Sequence, residues 1–209
     1  MKRFTGAGCV LAMLVATAAP ASAATISIIN ADAAGEGLND PTPVAPVGGN
    51  SGTTLGAQRL IALQHAASIW AGILDSSVTI RVQSRFDPLT CNGSDAVLGS
   101  GAPTYTVTLT GGGTVPNTWY PAALANRTTG SDTNIFLDDI QLTLTTAFDD
   151  GCAFPRDWYY GLDANGDSGT TFDEVTVALR ELAPGLGFYT FVAVTTGTLC
   201  AGKHDIIMP

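Results

Sequence analysis

The chain is short of charge, and shortest of positive charge. Only 13% of its 209 residues are charged, and nine Lys and Arg stand against 18 Asp and Glu, for a formal charge of −9. A surface of that sign repels phosphate backbones, which argues against nucleic acid as a partner. Histidine is scarcer, with His65 and His204 alone. His65 sits among Ala and Leu and reads as a packed or half-exposed residue. Lys203-His204-Asp205 offers one His and one Asp, too few for a metal site. No Gly-x-Ser-x-Gly nucleophile elbow and no phosphate-binding Gly loop occurs. Beyond the N-terminus no apolar run reaches the roughly 18 residues that a membrane span needs. Internal repeats and low-complexity linkers are also missing.

What is present begins with a leader. Lys2 and Arg3 form a charged start, Gly6 to Ala18 an apolar stretch, and Ala21-Ser22-Ala23 a small-x-small cleavage site. Residues 1–23 therefore read as a signal peptide, and the chain is expected to be secreted or periplasmic after cleavage near Ala23. Cys9 is misplaced for a lipid anchor. Losing Lys2 and Arg3 takes the charge from −9 to −11. The remaining residues, 24–209, suffice for one domain with a core. Export permits disulfides. Cys91 and Cys152 lie in loop-like contexts, Pro88-Leu-Thr-Cys91 and Asp149-Asp-Gly-Cys152, and are expected to pair. Cys200 is left over, as a free thiol or the partner of a thiol elsewhere.

Alternation and β-branching predict strands at 25–29, 78–84 and 105–110, with a strand or hairpin arm over 135–145. Residues 30–54 are rich in Asn, Asp, Gly and Pro and read as a long loop. Thr53 or Thr54 caps a helix whose apolar positions recur from Leu55 to Leu74. Asp163-Ala-Asn-Gly-Asp167 is a turn. Val175, Ala178, Leu179 and Leu182 form one apolar face of a second helix. The order of elements suits one α+β domain.

That second helix carries the most informative residues. With His at 180 and 184 the stretch from 180 to 188 would read H-E-L-A-H-G-L-G-F. In such a helix two His four apart bind one Zn²⁺, and the Glu between them activates the metal-bound water. The chain has Arg180, Glu181 and Pro184 instead. Arg has no lone pair for a metal, and Pro has no side-chain donor at all. Pro184 is also expected to fray or kink the last helical turn, where Gly185 and Gly187 supply stop signals.

Longer stretches point the same way. Ile29 to Asn50, Gly56-Ala-Gln-Arg59, Phe86-Asp-Pro-Leu-Thr-Cys91, Pro116 to Arg127 and Trp158-Tyr-Tyr-Gly-Leu-Asp163 resemble exported bacterial zinc metallopeptidases over nearly the whole chain after the leader. The resemblance implies a zincin-like α+β domain: a mixed sheet, one long N-terminal helix and a short degenerate active-site helix. It makes 180 and 184 the zinc-ligand positions and Glu181 the general-base position. It further implies that relatives continue past Pro209, so the third ligand lies in sequence absent here. The metzincin spacing would place that ligand at Thr190. The implied function is a metallopeptidase-like protein that is catalytically inactive and holds no zinc cofactor, with an unknown protein or peptide as partner. The alternatives are a non-catalytic peptide-binding or inhibitory module, or a truncated relative of an active zinc endopeptidase.

One further motif suggests a metal. Asp163, Asn165, Asp167 and Glu174 fit positions 1, 3, 5 and 12 of a calcium loop, since Ca²⁺ takes six to eight hard oxygens. Against it, Ser168 holds the position where that loop wants Gly. The competing expectation is a polar turn whose Thr171 or Asp173 caps the next helix. Asn92-Gly-Ser94 and Asn126-Arg-Thr128 match a glycosylation sequon.

Overall fold

The computed structural model describes residues 23–193 and 195–207. The expected signal peptide lies outside these residues except for Ala23. The elements run β1 (Ile26–Asn30), α1 (Leu55–Ile73), β2 (Ile80–Asp87), β3 (Gly99–Pro103), β4 (Thr106–Thr108), β5 (Thr118–Pro121), α2 (Ala122–Thr129), β6 (Ile140–Thr145), β7 (Asp157–Tyr159), β8 (Thr171–Asp173), α3 (Glu174–Leu186) and β9 (His204–Asp205). The architecture is α+β with mixed sheets, as the order of elements predicts.

The main sheet has the order β1-β2-β6-β3. β1, β2 and β6 run parallel, with Ile26 opposite Ile80 and Val82 opposite Ile140. β3 closes the edge antiparallel to β6, with Gly101 opposite Leu142. Parallel neighbours need a crossover connection, and α1 supplies it between β1 and β2. β2 alternates strictly, burying Ile80, Val82, Ser84 and Phe86. β6 buries Ile140, Leu142 and Leu144 on the same side. α1 and α3 pack on that side and on each other.

α1 begins where Thr54 Oγ1 accepts the Ala57 N–H, a side-chain N-cap. Its buried positions, Arg59, Ala62, Leu63, Ala66 and Ala67, follow the 3-1-3-1 spacing of one helix face. Ile73, in the last turn of α1, is exposed. A disulfide joins Cys91 to Cys152, tying the loop after β2 to the loop after β6. Cys200 is a free, exposed thiol. Among the described residues no helix is long and apolar enough to cross a membrane.

β3, β5, β7, β8, β9 and α2 have no counterpart among the elements expected from sequence. β3 is Gly-Ser-Gly-Ala-Pro, which lacks every strand-favouring residue. Its existence depends on the neighbours it fits.

Candidate functional site

α3 is capped by Asp173, whose Oδ1 accepts the Thr176 N–H at 2.7 Å. Val175, Ala178, Leu182 and Leu186 are buried in the core. Arg180 lies on the opposite side with its side chain 79% exposed, and its Nε stands 3.8 Å from Glu181 Oε1. An ion pair that open to water contributes little. The Glu181 side chain is only 14% exposed, because it lies beneath the edge strand β3.

The last turn of α3 does not fray. The helix runs through Pro184 to Leu186, and Gly187 ends it in the left-handed region with φ 116°. The Phe188 N–H donates to Ala183 O at 3.0 Å. Pro184 removes the amide that Arg180 O would accept. Two contacts hold the turn nonetheless. Gly185 lies so close to Ile140 that a β-carbon there would meet its side chain, so this Gly serves close packing and not helix termination. From α1, the Trp70 indole N–H donates to Leu179 O at 3.0 Å.

Positions 180 and 184 are thus one turn apart on a continuous helix and share a face. Thr190 follows in the next loop. Its Oγ1 donates to Asp205 Oδ2 at 2.6 Å, and the Phe191 N–H reaches the same oxygen at 2.7 Å. The residues at 180, 184 and 190 therefore do not fit a zinc ion. Among the described residues no three His, Cys, Asp or Glu side chains gather as a metal requires. His65 is half-buried on α1, and His204 sits in β9 opposite Thr118.

The calcium frame is dispersed. Asp163 accepts from Tyr159 OH at 2.8 Å and from the Asn165 N–H at 3.3 Å, and the Tyr159 hydrogen bond holds its carboxyl below the usual range. Asn165 and Asp167 are exposed, and Asp167 stands 3.8 Å from Arg156. Glu174 is withdrawn into the core with no exposed area. Among the described residues neither of its carboxyl oxygens has a hydrogen-bond partner. Burial pushes this carboxyl well above the usual range, and Arg59 offsets only part of that.

Arg59 centres a polar cluster that sequence reading did not assign. Its guanidinium donates to Gly37 O at 2.8 Å, Asp149 Oδ2 at 2.6 Å and Tyr160 OH at 3.3 Å, and lies 4.8 Å from the centre of the Phe86 ring. Burial works against its charge, but Tyr160 and Asp149 more than offset this. Four of the five stretches on which the expected resemblance rests meet here, through Gly37, Arg59, Phe86 and Tyr160. One signal was available: a cation on the apolar stripe of α1. A cleft of about 830 Å³ opens over Arg59 between Asp40, Asp87, Phe148 and Asp150.

A second groove, about 530 Å³, runs beside β3, with Tyr189 and Phe191 on its wall. Their rings stand 5.1 Å apart, edge to face. Comparison with known families, characterised proteins and solved structures finds no match.

Proposed function

We propose that this is an exported zincin-like protein that binds no zinc at its helix and cleaves no peptides. One observation carries the reading: positions 180 and 184 share a face of an unbroken helix beside Glu181, and neither holds a residue able to bind a metal. Glu181 as a general base needs a water made acidic by a Lewis acid. Next to Arg180 it is an ordinary helix carboxylate. The mixed sheet, the long α1 and the short α3 support the zincin-like arrangement. The Cys91–Cys152 disulfide suits an oxidising compartment outside the cytosol. Elemental analysis of the purified protein, with a general proteolysis assay, tests the reading. Stoichiometric zinc, or cleavage abolished by a chelator, would overturn it.

A second reading, a non-catalytic peptide-binding module, is favoured by the groove at β3. β3 ends the main sheet, and an edge strand can take an extended peptide as one more strand. Tyr189 and Phe191 would contact its side chains. Fluorescence anisotropy of a labelled extended peptide should then show binding that Tyr189→Ala with Phe191→Ala removes. Equal anisotropy with both proteins would discard this reading.

A further inference from the structure

Ala23 is exposed, whereas Ala24 keeps only 6% of its surface and its N–H donates to Leu74 O at 3.1 Å. Leu74 is the C-cap of α1, a helix of 19 residues. The C-terminal end of a helix carries a partial negative charge and leaves carbonyls unsatisfied, which a cation nearby stabilises. α1 has no basic residue in its last turn.

We infer that cleavage after Ala23 creates a functional group that the precursor lacks: the α-ammonium of Ala24 becomes the missing C-terminal cation of α1, locked against Leu74 O. The inference rests on the export reading. The step is hydrolysis of the Ala23–Ala24 amide: water adds across the C–N bond, leaving a carboxylate on Ala23 and an amine on Ala24, which takes up a proton. A backbone amide that donates one hydrogen bond is thereby replaced by an ammonium that donates up to three. Because Ala24 is buried in the folded chain, cleavage has to precede docking of β1.

One exposed cation already stands nearby, for the Arg127 Nε donates to Asp75 O at 3.2 Å, one residue past the C-cap. Asp75, opposite Ala23 in an isolated bridge, is engaged by Arg127 of α2 at 3.4 Å, with both side chains more than half exposed. Arg81 of the neighbouring strand is exposed and held by Asp138 at 2.7 Å. Carbonyl and helix end must outweigh the cost of burying the amine, which would place its pKa above the value of about 7.7–8.0 found in unfolded chains. The stability it contributes is complete below that value and is lost as pH climbs through the folded one.

The test uses the secreted protein and two leader-free chains, one starting at Ala24 and one at Ala23, whose ammonium would fall on the exposed residue. Intact mass of the secreted protein should place its first residue at Ala24. Between pH 7 and 10 the melting temperature of the Ala24 chain should fall relative to the Ala23 chain by about 2–4 °C, the shift that a loss of about 1 kcal/mol produces in a protein of this size. Parallel melting curves would overturn the inference while leaving the export reading intact. A secreted product that keeps its leader would overturn the export reading, and the inference with it.

Discussion

The main-chain carbonyl of Glu181 occupies the space that a β-carbon on Gly101 would need. The edge strand β3 can lie over α3 only because position 101 has no side chain. The atom in the way belongs to the backbone and cannot swing aside, so strand and helix would have to separate. Gly101→Ala should therefore cost about 1–3 kcal/mol, the usual penalty of overpacking. Ser100→Ala, at the exposed neighbouring position, should cost almost nothing. Urea unfolding of both variants checks this, and equal midpoints would show that α3 shifts freely under β3.

Glu174 should make the protein less stable as pH rises. Its folded pKa lies above the unfolded value of about 4.3, so the fold holds a proton that the unfolded chain releases. Stability is then greatest below that pH and declines above it, until the folded carboxyl also ionises. Glu174→Gln removes the titration. The variant should gain on the parent as pH rises from 4 to 7, read from denaturant midpoints. A constant gap over that range would mean that Glu174 is solvated.

Arg59 fastens three segments at once. Arg59→Met would leave Gly37 O without its donor and Asp149 with only the Tyr160 hydroxyl. Because the Asp149 side chain is 23% exposed, the cost should fall below the roughly 3–5 kcal/mol of breaking a fully buried pair while exceeding about 1 kcal/mol. Tyr160→Phe removes one neutral partner and should cost on the order of 1 kcal/mol. Chemical denaturation should reproduce that order, and the reverse order would place the strain at the tyrosine.

The disulfide closes a separation of 61 residues. Cys91→Ser with Cys152→Ser should lower stability by about 4 kcal/mol in the chain-entropy model. Non-reducing digestion should recover Cys91 linked to Cys152. Cys200 should react with maleimide in the native protein, since it is exposed.

Restoring His at positions 180 and 184 should produce weak zinc uptake without turnover. The two side chains would share a face of α3, but a catalytic site takes three protein ligands and a water. Thr190 is occupied with Asp205 and offers no imidazole. Robust proteolysis by the Arg180→His, Pro184→His protein would show that a third ligand lies within these 209 residues.

By itself the sequence determined the features set by local chemistry. The cap of α1, the alternation of β2 and the missing metal donors at 180 and 184 each depend on one residue type or one short period. Tertiary contact decided the rest. β3 is a strand because Gly99 and Gly101 let it lie between β6 and α3, not because its residues favour extension. α3 survives Pro184 because Ile140 and Trp70 hold it from two other elements. Glu174 reads as the last oxygen of a calcium loop, yet the helix that begins there turns it into the core beside Arg59. Spacing along the chain specifies which residues can share a face. Which face is buried, and against what, is settled only when distant segments pack.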